Sequence, residues 1–339
     1  MSHPNIPFRQ LGKNGPMVPA VGLGLMGLSI HYGPAPSDEE RFAVLDRALE
    51  IGARNWDSSD MYGDNEELLG KWFKRTGKRD QIFLATKFGF IKGSHADIDS
   101  SAGYCKKACA ESLKALGVDC IDLYYMHRAN AKTPIEDTMR GMLELKAEGK
   151  IKHIGLSEIS SQTLRRACKV GQVDAVQVEY SPFELGIEGE SGTNLMSTCR
   201  ELGVAIVAYS PLGRGLLAGN LEGQNSISAE GDWRSLYPWF TGENFAANLD
   251  IVRQLKVLAG KKGCSPAQLV IAWVLRQGQD VIPIPGTKKI KYLEENLGAL
   301  QVELTDEEEG RIRDIVSGVA GERAPAFVKS QLYVDTVEE

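Results

Sequence analysis

Eight short runs of apolar, often β-branched residues recur along the chain, most of them separated by amphipathic stretches, and this alternation constrains the fold more than any other feature. The runs are Val18–Leu23, Ala53–Trp56, Ile82–Thr86, Ile121–Met126, Ile151–Leu156, Ala175–Val178, Val204–Ala208 and Val281–Ile284. Near-continuous apolar strands with helices between them predict a parallel sheet covered on both faces. The intervening stretches carry helix signals. Ser37-Asp38-Glu39-Glu40 has the spacing of a capping box, with Phe42, Leu45, Ala48 and Leu49 on one face behind it. Pro134-Ile135-Glu136-Asp137 opens another, which Gly149 ends. Eight strand–helix units predict an α/β fold of the closed (β/α)8 TIM-barrel type, whose usual length of about 250 residues leaves room for insertions in a chain of 339.

Three segments depart from the repeat. Phe8–Val18 contains Lys13-Asn14-Gly15, a hairpin signal, and predicts an N-terminal β-hairpin able to plug the bottom of the barrel. Leu212–Asn248, after strand 7, is too long for a plain connection and reads as a functional loop. Beyond Leu300 a charged helix from Asp306 leads into a C-terminal tail. No linker-like composition interrupts the chain, which predicts one domain over 1–339, with a core of 8–300 and a tail of 301–339.

Composition narrows the function. With 42% hydrophobic and 25% charged residues the chain can bury a core, unlike a disordered segment. A net charge of −6 argues against a nucleic-acid partner, which would demand a basic face. No apolar run approaches the ~20 residues of a membrane span, and Met1–Asn5 lacks the basic start and apolar core of a secretion signal. Cys105, Cys109, Cys120, Cys168, Cys199 and Cys264 are dispersed, which suits a reducing compartment and makes the cytoplasm the default location. His3, His31, His95, His127 and His153 show no metal-ligand spacing, so no metal is expected.

Gly22-Leu23-Gly24-Leu25-Met26-Gly27 fits the G-x-G-x-x-G dinucleotide fingerprint, but no helical pattern begins before Ser37, as that motif needs. The better reading is a strand end where small residues let the backbone approach something bound above it. What stands at each strand end is more telling: in order, Gly24, Asp57, Lys87, His127, Ser157, Gln177, Tyr209 with Ser210, and Pro285-Gly286-Thr287. In a parallel barrel those positions converge on one rim, where such folds place their chemistry. Each has an ordinary explanation by itself, such as a turn cap or a solvated lysine; the shared register is what matters.

Asp57, Tyr62, Lys87 and His127 would then share the mouth. A nearby ammonium favours phenolate and lowers a tyrosine pKa, moving it toward useful proton transfer. Asp57 would keep Lys87 charged and oriented, and His127 could hydrogen-bond the same substrate oxygen. Such a group protonates a carbonyl oxygen while a hydride arrives at carbon, and the hydride must come from a cofactor.

The segments that carry these residues are Trp56–Gly63, Thr86-Lys87-Phe88-Gly89, Tyr125–Arg128, Gly155–Glu158, Gln177–Ser181, Tyr209–Gly215 and Pro285–Thr287. In order and spacing, from Phe8 to about Leu300, they resemble the aldo-keto reductases, and most of all the long-loop branch that includes pyridoxal and general aldehyde reductases. The resemblance implies Tyr62 as general acid, with Asp57, Lys87 and His127 completing a catalytic tetrad. It implies that Ser157 and Gln177, with Asp57 nearby, bind the nicotinamide carboxamide and that Tyr209 stacks on the ring. Gly24 and Met26 would lie near the nicotinamide ribose. Ser210, Pro211, Leu212, Gly213 and Gly215 would wrap the pyrophosphate, and Gly286, Thr287, Lys288, Glu295 and Asn296 would grip the adenosine end.

NADPH/NADP+ is the expected cofactor, because Lys288-Lys289-Ile290-Lys291 puts three cations where a 2′-phosphate would lie, with Lys288 the chosen contact. Departures from the family pattern are Glu158 in place of Asn, Gly286 in place of a phosphate-binding Lys or Arg, and Ala53 and Asn55 before the aspartate. The expected activity is NADPH-dependent reduction of small aldehydes or ketones, with Tyr32, Phe88, Phe90, Trp233, Tyr237, Trp239 and Phe240 as pocket aromatics. Two other readings remain at this point: a cofactor-binding redox-sensing subunit with little turnover, and a Schiff-base enzyme using Lys87 as nucleophile.

Overall fold

The computed structural model describes residues 6–94 and 96–339. Residues 1–5, in which no secretion signal is read, and His95 lie outside the described residues, so of the five histidines His3 and His95 are not placed. The chain opens with an antiparallel hairpin, β1 (Phe8–Gln10) and β2 (Met17–Pro19), with Arg9 opposite Val18. Eight parallel strands follow, paired in chain order: β3 (Leu23–Gly24), β4 (Asn55–Asp57), β5 (Phe83–Phe88), β6 (Ile121–Met126), β7 (Ile151–Ser157), β8 (Ala175–Glu179), β9 (Ala205–Tyr209) and β10 (Val281–Pro283).

The first and last of these meet. The Gly22 N–H donates to the Pro283 carbonyl at 2.9 Å, the Gly24 N–H donates to that of Pro285 at 3.2 Å, and Gly24 bridges Gly286 in parallel. The sheet therefore closes into the expected (β/α)8 barrel. Glycine is needed at the seam: a Cβ on Gly24 would lie 2.8 Å from the Ile284 carbonyl oxygen, and one on Gly286 would lie 2.8 Å from that of Gly24. Gly24 is thus small where the segment after the barrel's last strand approaches it. Met26–Leu28 forms a single 3-10 turn and the next α-helix starts at Asp38, so no helix opens at the glycine motif.

One expected strand divides. In Val18–Leu23, Val18 belongs to the hairpin and Leu23 to the barrel, because Pro19 has no N–H and the Ala20 N–H turns to the Pro7 carbonyl at 2.9 Å. β4, β5, β7, β8 and β9 run past their expected ends, so Asp57, Lys87, Ser157 and Tyr209 stand inside the ladder. Backbone pairing does not care that their side chains are polar.

The helices of the outer ring are α1 (Asp38–Glu50), α2 (Asn65–Thr76), α3 (Ala102–Leu116), α4 (Ile135–Ala147), α5 (Ser161–Val170) and α6 (Leu195–Leu202). After β9 come α7 (Gly242–Lys262) and α8 (Pro266–Arg276), then α9 (Ile290–Gly298), α10 (Asp306–Val316) and α11 (Ala326–Lys329). Ser37 and Glu40 form the capping box reciprocally, with the Glu40 N–H on Ser37 Oγ at 3.3 Å and the Ser37 N–H on Glu40 Oε2 at 3.0 Å; such a cap contributes about 1 kcal/mol. α8 packs against β10 and α9, whereas α7 is an addition that lies against α8 and α10. The long connection is 212–241, since α7 begins at Gly242 rather than after Asn248.

Two apolar layers follow from the alternation of side chains on buried strands. Inside the barrel, Leu11 and Val18 of the hairpin region join Ala85, Leu123, Tyr125, Ala175, Ala205, Val207, Ile282 and Ile284. The hairpin is therefore the bottom plug. It is tied down by the Arg9 guanidinium on the Gly278 and Leu275 carbonyls, each at 2.7 Å, and by the Lys13 N–H on the Gly203 carbonyl at 2.7 Å. Outside, between strands and helices, one cluster runs from Ile6 to Val334 and includes Trp56, Trp72, Tyr180 and Trp273. The plug leaves the other end of the barrel open for chemistry.

Candidate active site

Asp57 ends β4 and Lys87 stands near the end of β5, so both point into the open rim. Lys87 is fully buried and its Nζ meets three acceptors: Asp57 Oδ1, the Ser58 carbonyl at 2.6 Å and the Tyr62 hydroxyl at 3.2 Å. The second Asp57 oxygen accepts from Gln177 Nε2 at 2.7 Å. Tyr62 lies on the turn between β4 and α2. Its N–H donates to the Ser59 carbonyl at 3.1 Å, and the following Gly63 takes a left-handed φ of 60° to complete the bend. His127 follows β6, its N–H on the Phe88 carbonyl at 2.6 Å and its Nδ1 3.1 Å from Ser59 Oγ. The Tyr62 and His127 rings meet edge to face at 5.8 Å.

Burial and charge act on these groups in competition. Burial alone would strip the Lys87 proton, but Asp57 and Tyr62 outweigh it and hold the ammonium above its usual value. Burial pushes the Asp57 carboxyl up against the pull of Lys87 and Gln177. Burial also raises the Tyr62 phenol, and Lys87 only moderates the rise. The ammonium by itself favours the opposite direction, the lowered value expected from the sequence. The correction is physical: an enclosed phenol loses more by ionising away from water than one cation returns. Burial, with Arg128 and Lys87 nearby, drives His127 well below its ordinary value. The rim therefore holds a charged lysine, a neutral phenol and a neutral imidazole.

A cavity of about 490 Å³ opens over this group. Of the residues expected to touch a cofactor, Gly24, Met26, Asp57, Gln177, Tyr209, Ser210, Pro211, Leu212, Gly215, Gly286, Thr287 and Lys288 line it. Four do not. Gly213 is buried, Ser157 is buried with its Oγ accepting from Arg128 Nη1 at 3.3 Å, and Glu295 and Asn296 lie on α9 away from the cavity lining. Lys288 reaches the cavity, but its Nζ donates to the Tyr32 and Pro34 carbonyls at 2.6 and 3.3 Å. Tyr32, Phe90, Trp233 and Tyr237 face this cavity, whereas Phe88, Trp239 and Phe240 belong to the buried core.

Several contributors had no signal in the strand-end pattern. Arg214 pairs with buried Glu179, its Nη2 2.9 Å from Oε2, and stacks 4.1 Å from the Tyr237 ring. Burial works against its charge, but Glu179 more than restores it. Glu158 takes a left-handed φ of 52° and is fully buried. Its carboxylate accepts from Arg323 Nη1 and Nη2 at 3.0 and 2.9 Å and from the Tyr209 hydroxyl at 2.8 Å. Burial would raise this carboxyl, yet Arg323 and Arg128 hold it below the usual range. Glu158 is committed to the tail and to Tyr209. The tail itself bridges Val334 to Ile159 and adds Ala324, Phe327, Val328, Gln331 and Leu332 to the cavity wall. Opposite, the long loop is strapped to the segment after β3, with the Trp233 N–H on the His31 carbonyl at 3.0 Å and a Tyr32–Asp232 bridge.

The profile of the Aldo/keto reductase family matches residues 20–317. Aldo-keto reductase str7 of Strobilurus tenacellus is 50% identical over 326 residues, covering 94% of this chain and 95% of that protein. Aldo-keto reductase yakc [NADP(+)] of Schizosaccharomyces pombe is 47% identical over 339 residues, covering 98% of each. Among solved structures, the glycerol dehydrogenase AKR11B4 from Gluconobacter oxydans superposes with a TM-score of 0.79 at 27% identity, covering 94% of this chain and 97% of that one. The thermostable aldo-keto reductase Tm1743, in complex with the inhibitor epalrestat, gives 0.71 at 27% identity, covering 91% and 100%. The chain belongs to the Aldo/keto reductase family, whose members are oxidoreductases of small carbonyl compounds. No helix among the described residues is long and apolar enough to cross a membrane.

Proposed function

We infer that the chain reduces aldehydes or ketones to alcohols with NADPH, Tyr62 supplying the proton. The observation that carries this reading is the contact of one buried ammonium with both Asp57 and the Tyr62 hydroxyl, at 3.2 Å from the latter. Tyr62 keeps its proton in the enclosed site, as an acid must, and Lys87 stabilises the phenolate that forms when the proton leaves. His127, neutral and beside Tyr62, can hold the substrate oxygen from the other side. Lys87 is held charged by Asp57, which deprives it of the lone pair a Schiff-base nucleophile needs.

The cavity chemistry fits a nicotinamide dinucleotide phosphate. Tyr209 offers an aromatic face, and Gln177, anchored on Asp57, offers an amide. α9 starts with no side-chain cap beside Lys288 and Lys289, leaving N–H donors and cations for phosphate. The relative yakc bears NADP(+) in its name, which favours the phosphorylated dinucleotide. When bound, that cofactor supplies the hydride that no side chain can. Lys288 remains the proposed 2′-phosphate contact; to serve it, the ammonium would have to give up the Tyr32 and Pro34 carbonyls. The same reading takes the described residues as one domain, because the outer apolar cluster runs unbroken from Ile6 to Val334.

The test is the loss of NADPH absorbance with a panel of small aldehydes and ketones, repeated with Tyr62→Phe. A fall in kcat of about 10²–10⁴-fold with unchanged cofactor affinity is expected; full activity in the variant would remove Tyr62 from the role.

A further inference from the structure

Ser59 and Asp60 stand beside the proposed tetrad without belonging to it, and their geometry bears on His127. Ser59 Oγ lies 3.1 Å from His127 Nδ1 and 3.3 Å from Asp60 Oδ1, and it accepts the Met61 N–H at 3.2 Å. A hydroxyl has one hydrogen, so it can donate to the imidazole or to the carboxylate but not to both. Because His127 is neutral, one of its ring nitrogens carries a proton and the other a lone pair. With Nδ1 occupied by Ser59, Nε2 is the nitrogen left for the cavity that His127 lines.

We propose that Ser59 is a positioning residue that decides which ring nitrogen of His127 holds the proton, and that the charge on Asp60 decides where Ser59 aims its hydrogen. When Asp60 is protonated, Ser59 donates to Nδ1, and His127 presents Nε2–H, a donor suited to a carbonyl oxygen. When Asp60 is ionised, its carboxylate draws the Ser59 hydrogen. His127 then donates Nδ1–H to Ser59 and presents a lone pair at Nε2, an acceptor suited to an alcohol. Protons balance through solvent: Asp60 releases one, while His127 exchanges the one at Nε2 for one at Nδ1 and stays neutral. The device rests on the proposed function for its meaning, since it would favour carbonyl binding at low pH and alcohol binding at high pH.

The surroundings place this change in a useful range. Asp60 Oδ2 is buried and has no hydrogen-bond partner among the described residues. Asp60 lines a second cavity, of about 810 Å³, which gives it a route for proton exchange. Burial and Glu66 of α2 push its carboxyl up, Lys92, Ser59 and Lys87 pull it down, and the balance is about 7. Tyr104 of α3 faces Asp60 as a neutral phenol, raised above its ordinary value by burial and by Asp60. On the imidazole side, Arg128, Lys87 and His31 all oppose a charge on His127. Lys92 is itself held by Glu111 at 3.2 Å, and Glu66 by Thr86 Oγ1 at 2.6 Å. Glu67 and Glu230 line the same cavity as Asp60.

The test is a long-range ¹H–¹⁵N correlation spectrum of the full chain, labelled with ¹⁵N at histidine, from about pH 5 to about 8. The His127 signals are assigned by their loss in His127→Gln. In the unsubstituted chain the protonated nitrogen is expected to change from Nε2 to Nδ1 as pH rises through about 7. Asp60→Asn should keep Nε2–H throughout, because an amide donates to Ser59 Oγ at every pH, and Ser59→Ala should lose the pH response. A single tautomer across the range in the unsubstituted chain, or an unchanged switch in Ser59→Ala, would overturn the proposal. The readout needs no turnover. A fixed tautomer in an active reductase defeats this device alone, and a switching tautomer in a chain that never oxidises NADPH defeats only the functional reading.

Discussion

Lys87 is the residue on which the mouth of the barrel depends, because it is buried and yet charged. A buried ammonium persists only where opposite charge and hydrogen bonds replace its water, and Asp57, the Ser58 carbonyl and Tyr62 do so. Asp57→Asn removes the charge partner and is expected to lower stability by about 3 kcal/mol or more, measured by urea denaturation. Asp60 offers a pH-dependent counterpart. Its carboxyl titrates near 7 in the fold against 3.8 as the ordinary value, so the folded chain binds more protons between those limits. Its contribution to stability therefore falls as pH rises from about 4 to about 7. Asp60→Asn should flatten that decline and leave the variant the more stable protein at pH 8; a steeper decline would contradict the assignment. The identities at the rim were legible in the sequence, while the balance of burial against charge was not. A lysine beside a tyrosine argues for a lowered phenol pKa only when solvent exposure is assumed, and enclosure by three dimensions reverses it.

At the scale of elements, the barrel seam is the most demanding contact. Gly24 and Gly286 approach so closely that either Cβ would fall 2.8 Å from a carbonyl oxygen across the seam. Gly24→Ala is expected to cost about 1–3 kcal/mol by forcing the seam apart, seen as a lowered Tm, whereas Gly103→Ala on α3, which meets nothing nearby, should not destabilise. The strand–helix alternation and the plugging hairpin could be read because periodicity is local. The division of Val18–Leu23 could not, since it depends on Pro19 at the end of the hairpin and on where the Ala20 N–H finds an acceptor. Likewise the polar residues at strand ends marked the rim correctly but understated the strands, because a ladder continues under any side chain whose backbone is in register. Gly24 was legible as a site needing glycine; the segment after the last strand crowds it from one side, and it lines the cavity on the other.

Across the whole molecule, the tail is more than an appendage. Arg323 reaches from beyond α10 to Glu158 at the end of β7, and the same carboxylate holds the Tyr209 hydroxyl. Contacts at a separation of 165 residues leave no periodic trace, which is why the sequence marks 301–339 only as a tail. Arg323→Ala leaves the buried Glu158 carboxylate without its hydrogen-bonded cation, and a loss of about 3–5 kcal/mol is expected, with faster tryptic cleavage at Lys329 as the tail frees itself. Adding Glu158→Gln should recover part of that loss, because the remaining buried group is then neutral. No recovery would mean that the loss comes from the other contacts of Arg323, with Glu179, Glu184 and the Tyr333 ring, and not from the stranded charge.

On the proposed reading, the four groups at the rim serve hydride transfer to a carbonyl. The direct measurement is mass analysis of the alcohol formed from an aldehyde with NADPH carrying deuterium at the transferring C4 position, in ordinary water. One deuterium bound to the carbinol carbon is the expected result, with its formation slowed in Tyr62→Phe. An alcohol without label, or no alcohol from any carbonyl compound while the chain remains folded, would exclude hydride transfer from NADPH at this rim.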